Sequence, residues 1–115
     1  MLNIARAHSK FLRIPPRKAR LAADLIRGLK VEDAFVQLSF CQMKGGRLLY
    51  KTLNSAVANA ETQLNIPRQQ LKVKEVRVDA GPVLKRAKSK SKGGRVPVMK
   101  RTSHFTVVVE AEEGK

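Results

Sequence analysis

Between Asp79 and Glu110 the chain carries no acidic residue, yet Lys85, Arg86, Lys88, Lys90, Lys92, Arg95, Lys100 and Arg101 all fall there. A second cluster, Arg17, Lys18, Arg20 and Arg27, lies nearer the N-terminus with Asp24 among it. Ammonium and guanidinium groups at this density suit one kind of chemistry, the binding of phosphates, to which guanidinium adds a planar fork of donors. In an extended segment Arg86, Lys88, Lys90 and Lys92 share one face at a spacing of about 7 Å, where neighbouring cations repel by roughly 0.6 kcal/mol in bulk water. Bound phosphates reverse that sign. Over the 115 residues, 24 Lys and Arg against 9 Asp and Glu leave a formal charge of +15, so a polyanionic partner is expected.

Nothing comparable points to catalysis. The chain has two histidines, one cysteine and few carboxylates, with no Gly-x-x-x-x-Gly-Lys-Ser/Thr loop to cradle phosphates and no His-Glu-x-x-His to hold zinc. Neither an enzyme nor a cofactor nor a metal site is expected. His104 has no acidic or nucleophilic neighbour in sequence and reads as an RNA contact or a hydrogen-bonded structural residue; His8 carries less signal. Cys41, alone, excludes an intrachain disulfide and reads as a small buried hydrophobe. Phe11, Phe35, Phe40 and Phe105 are assigned to the core, which argues against a sheet that stacks single-stranded bases. Binding should then rest on phosphates and shape, as in structured RNA, although charge alone leaves DNA open. No apolar run is long enough for a membrane span and no secretory leader is evident, so an intracellular, reducing setting without an intrinsic homo-oligomer is expected.

The elements that must position these cations follow from periodicity. Ile14-Pro15-Pro16 opens a helix that Gly28 stops, with Ala19, Ala22, Leu25 and Ile26 on one side and Arg17, Arg20, Asp24 and Arg27 on the other. A short helix is expected over Val31 to Ser39, with Val31, Ala34, Phe35 and Leu38 inward. A longer one should follow Gly45-Gly46, carrying Leu49, Leu53, Ala56, Val57, Ala60 and Leu64 before Asn65-Ile66-Pro67 ends it; its alanines 56, 58 and 60 would permit close approach, and Asn54 and Asn59 could cap or touch RNA. Leu71 and Val73 alternate, then the phase moves to Val76 and Val78, which implies a bulge near Lys74-Glu75. Phe105, Val107 and Val109 mark a half-buried strand, and Ile4 to Phe11 a weaker one with Ala5, Ala7, Ser9 and Phe11 on one face. The expected fold is α+β, three helices packed on a small antiparallel sheet of about three strands.

The basic segment between the better strands suits a protruding hairpin. Gly93-Gly94 supplies a tight turn, and Pro97 is tolerable because each strand of a two-stranded ribbon has an unpaired edge. One domain over residues 1–115 is expected, with the hairpin at about 82–101.

Three motifs carry a family resemblance. Pro16-Arg17-Lys18-Ala19-Arg20-Leu21 running on to Asp24-Leu25-Ile26-Arg27-Gly28, then Ser55-Ala56-Val57-Ala58-Asn59-Ala60-Glu61, resemble the L twenty-two family of large-subunit ribosomal proteins. Val78-Asp79-Ala80-Gly81-Pro82 with Lys85-Arg86, and Lys100-Arg101-Thr102-Ser103-His104, look like that family's hairpin entrance and exit. The resemblance implies a cytoplasmic constituent of the large ribosomal subunit that binds its RNA early in assembly, beside neighbouring ribosomal proteins. Its hairpin would line the nascent-peptide exit tunnel near the L four family protein and the macrolide site, with Lys90, Ser91, Lys92, Gly93, Gly94 and Arg95 at the tip facing the nascent peptide. The family's usual Pro-Arg-Ala-x-Gly-Arg-Ala is replaced here by Ser89-Lys90-Ser91-Lys92-Gly93-Gly94-Arg95. A free nucleic-acid-binding regulator would share the charge, but should show a reader helix or exposed aromatics and would not need a long arm. A basic scaffold for acidic proteins fits the acid-free block less well.

Overall fold

In the computed structural model, which describes residues 4–89 and 95–111, the order along the chain is β1 (Ile4–Leu12), α1 (Pro16–Asp24), α2 (Val31–Phe40), α3 (Lys44–Gln63), a single 3-10 turn (Arg68–Gln70), β2 (Leu71–Ala80), β3 (Leu84–Ser89), β4 (Arg95–Lys100) and β5 (Ser103–Ala111). β1, β5 and β2 form an antiparallel sheet in that order, while β3 and β4 pair only with each other. The strand with the strongest alternation, β5, takes the centre, and its Phe105, Val107 and Val109 are fully buried under the helices. Placing the most apolar strand between two neighbours gives its backbone groups partners on both edges. The α+β architecture expected from the pattern is the one observed.

Helical spacing sets the inner faces. Leu49, Leu53, Ala56, Val57 and Ala60 of α3 and Val31, Ala34, Phe35 and Leu38 of α2 are buried as their periodicity requires, whereas Ala58 is exposed. Asn65 takes φ 55° just past α3, a left-handed position that Asn tolerates at helix ends. Gly45 and Gly46 lie inside the first turn of α3 and do not precede it. A Cβ on Gly45 would stand 3.2 Å from the Ile14 side chain and 3.3 Å from the Ala19 backbone, and one on Gly46 would stand 2.8 Å from the Cys41 sulfur. The glycines therefore let α3 start hard against α1, and Cys41, only partly buried, fills the remaining space.

Three core assignments differ in the structure. Helix α1 ends at Asp24, four residues before Gly28, so Leu25 enters a turn and is 43% exposed while Ile26 is buried. Phe40 follows the last inward position of α2, Leu38, by two residues and points out. Phe11 falls in a bulge: Ser9 pairs with Phe105 and Leu12 with Ser103, leaving Lys10 and Phe11 both opposite His104. The extra residue flips the phase, Leu12 packs against the core, and Phe11 turns outward with φ 58°, a conformation that costs a non-glycine residue about 1–3 kcal/mol. The bulge expected in β2 is present, the register shifting between Val73 and Glu75.

Strands β3 and β4 pair from Leu84 with Lys100 to Ser89 with Arg95. Six residues span about 20 Å at the usual strand rise. The molecule measures 68 Å along its longest axis against 27 and 17 Å across, with a radius of gyration of 17.3 Å, where a compact chain of this length would have about 13 Å.

Candidate nucleic-acid interface

The two strands of the arm leave and re-enter the body at Gly81 and Thr102, where the Gly81 N–H donates to the Thr102 carbonyl at 2.9 Å. The Thr102 hydroxyl donates to the Pro82 carbonyl at 2.6 Å, and the Ser103 hydroxyl donates to the Ile14 carbonyl at 2.6 Å. Both hydroxyl residues are buried, so each bond satisfies a buried hydroxyl that would otherwise lack a partner. A Cβ on Gly81 would collide with the Thr102 hydroxyl and press on the His104 ring, so only glycine permits this closure. The motifs read as hairpin entrance and exit thus lock the arm's root to the segment leading into α1.

That lock brings separate cations together. One cleft of about 500 Å³ is lined by Arg13, Pro15, Lys44, Lys100 and Arg101. A second, of about 490 Å³, is lined by Pro15, Pro16, Arg17, Lys18, Arg20, Ala80 and Arg101. A third joins Arg13, Lys18 and Lys44 with Ile14, Leu21 and Met43. All three share Pro15, and no acidic side chain among the described residues lines any of them. Arg17, Lys18 and Arg20 of the helix cluster and the root of the arm, separate in sequence, form one concave cationic surface, while Arg27 lines none of the three clefts. Concave walls of one sign concentrate the field in the cleft and favour an anionic ligand.

Arg17, Lys18, Lys100 and Arg101 are exposed, and among the described residues no hydrogen bond or ion pair holds their side chains. Arg20 and Arg27 differ. Arg20 donates through Nε and Nη2 to the Val78 carbonyl at 3.2 and 3.0 Å; Arg27 donates to the Val76 carbonyl at 3.3 and 3.0 Å and pairs with Asp24. With the Val73 N–H donating to the Leu29 carbonyl at 2.8 Å, they close the edge of β2, which would otherwise offer carbonyls for another strand. Replacing Arg20 by Met, which keeps the stem and removes the fork, is expected to lower unfolding stability by about 1 kcal/mol, measured by denaturant titration. Arg17→Met should leave stability within about 0.5 kcal/mol.

Arg13 and Lys44 join the interface without any signal in their local sequence; Lys44 reaches it because Gly45 seats α3 on α1, and its ammonium donates to the Arg13 carbonyl at 2.9 Å. His104 is half-buried and accepts the Phe11 N–H at Nδ1 at 3.1 Å, so its neutral ring carries the proton on Nε2. Asn59 ties α3 to the edge strand β1 by donating to the Arg6 carbonyl at 3.0 Å. Lys85, Arg86, Lys88 and Arg95 are backbone positions of the paired ribbon, and the tip residues Lys90, Ser91, Lys92, Gly93 and Gly94 lie outside the described residues. No group of metal-ligating side chains is found among the described residues, and no helix among them is long and apolar enough to cross a membrane.

The family model described as ribosomal protein L22p/L17e matches residues 7–110. The chain belongs to this family. The match spans β1 to β5 and includes the arm, its root lock and every cleft cation. The large ribosomal subunit protein uL22 of Protochlamydia amoebophila (strain UWE25) is 70% identical over 108 residues, covering 94% of this chain and 97% of that protein. The protein of the same name from Chlamydia pneumoniae is 61% identical over the same shares, and that of Chlamydia muridarum 62% identical over 90% and 94%. The family is structural and non-enzymatic.

Proposed function

We propose that the protein is a structural constituent of the large ribosomal subunit, in bacteria a cytoplasmic particle, and that it binds the subunit's RNA through the arm root and arm. The observation that carries this is the acid-free concave surface where α1, the start of α3 and the two ends of the arm meet. A polyanion with its own concave and convex relief fits such a surface better than an acidic protein, since folded RNA places phosphates at several orientations. The relatives' name supports the subunit, and the paired ribbon supports an arm that reaches between RNA helices. In this reading RNA contacts support assembly, neighbouring ribosomal proteins complete the surroundings, and Lys90 to Arg95 face the nascent peptide in the exit tunnel.

Excising Lys88 to Val98 tests the division between anchor and tunnel wall. Body and root cations remain, so the shortened chain is expected to fold and to enter large subunits at full stoichiometry, surviving co-sedimentation in high salt. Tunnel probing and macrolide sensitivity should then differ from subunits carrying the full chain. Normal incorporation with both readouts unchanged means that the arm does not line the tunnel. Failure of a folded body to incorporate makes the arm an anchor.

A further inference from the structure

Phe11 is 62% exposed and sits in a bulge with a left-handed backbone, yet its ring is held in place. Its N–H donates to His104 Nδ1 at 3.1 Å, and the two rings meet edge to face, centroids 4.9 Å apart at 87°. His104 in turn packs against Gly81 at the arm's root. A perpendicular neighbour covers at most one face of the phenyl ring, so the other stays open. A buried ring would release hydrophobic free energy to offset the strained backbone; an exposed one does not, and conformations of this kind collect at binding sites. Phe40 is more exposed, at 82%, but among the described residues no ring contact fixes it.

The surroundings indicate the occupant. Lys10 and Arg13, both exposed, flank Phe11, and Arg13 lines the cleft that holds Lys100 and Arg101. Cations beside an open aromatic face match a nucleotide, which presents a flat base and charged phosphates a few ångströms apart.

We propose that Phe11 is a stacking platform for one unpaired base of the bound RNA, with the flanking phosphates taken by the cations of the arm root. The inference rests on the RNA-binding reading above and adds a base contact to it. His104 acts as a positioning residue, holding the Phe11 backbone N–H through its Nδ1 lone pair and the phenyl ring through its own ring. Stacking tolerates any base, so the contact adds affinity with little sequence preference and neutralises no phosphate.

This gives Phe11 a signature that a cation would not have. The full chain, Phe11→Asn, Phe11→Trp and Arg13→Gln are titrated with purified bacterial large-subunit ribosomal RNA at several salt concentrations, and each thermal midpoint is measured. Asn tolerates the left-handed backbone, so Phe11→Asn should fold with an unchanged or raised midpoint. It should bind about 5- to 150-fold more weakly, the range for loss of one base–aromatic stack, with an unchanged salt slope. Phe11→Trp should restore binding, and Arg13→Gln should lower the slope instead. Should Phe11→Asn prove unfolded, Phe11→Leu, which keeps bulk without a π face, should show the same loss. Binding by the folded variant within about twofold of the full chain, or a loss accompanied by a lower slope, overturns the proposal. A full chain that binds this RNA without salt dependence overturns the RNA reading and the proposal together.

Discussion

Replacing Arg17, Lys18, Lys100 and Arg101 together by glutamine is expected to weaken RNA binding on the order of 10³-fold at about 0.1 M salt, leaving the fold intact. Each phosphate neutralised contributes roughly 0.7 to 0.9 to the slope of log affinity against log salt, so four lost contacts remove about three units and flatten the dependence correspondingly. The fold should survive because all four side chains are exposed and none is held by the body among the described residues. Because Arg101 lines a cleft with Arg17 and Lys18 as well as one with Lys100, the two pairs should not act independently. Removing Arg17 and Lys18 should weaken the contribution of Lys100 and Arg101, giving a coupling energy in a double-mutant cycle. Titrations between 50 and 200 mM salt measure both quantities. An unchanged slope in the quadruple variant would show that the root does not bind phosphate.

How far the sequence anticipates this surface depends on the range of the contacts involved. The acid-free segment and the helix cluster are visible in composition, and the strands β2 and β5 in their alternation, because both signals are local. The bulge at Lys74-Glu75 is visible because the apolar phase changes there. The bulge at Lys10-Phe11 is not, since an apolar residue occupies the outward position and the alternation of Ala5, Ala7 and Ser9 runs into it unbroken. What makes Phe11 turn outward is the pairing of Leu12 with Ser103, a contact across most of the chain. The same distance hides what Arg20 and Arg27 hold together: helical periodicity shows that they share a face, but only the packing of α1 beside β2 shows that this face meets the carbonyls of Val78 and Val76. Arg13 and Lys44 are hidden for the same reason, being joined by the seat that Gly45 makes for α3.

Phe105→Ala should be among the most destabilising single changes in the body, costing about 3–5 kcal/mol. Phe105 is fully buried on the central strand, paired with Ser9 of β1 and Val78 of β2, so truncation opens a cavity that neither neighbour strand can close without breaking its own ladder. For a domain of this size the thermal midpoint should fall by roughly 10–25 °C. The consequence for the arm is the opposite of that for the body. An isolated two-stranded ribbon is marginally stable on its own, and β3 and β4 pair with no other strand. Its amides should therefore exchange quickly in the free protein, through local opening that does not require the body to unfold. Amides of β1, β2 and β5 should exchange only through global opening, and Phe105→Ala should speed them by roughly 10²- to 10⁴-fold while leaving those of β3 and β4 nearly unchanged. Bound RNA should slow the arm in both proteins. Equal acceleration of arm and body by Phe105→Ala would mean that the ribbon unfolds with the sheet, and that the root lock at Gly81, Thr102 and Ser103 transmits the body's stability into the arm.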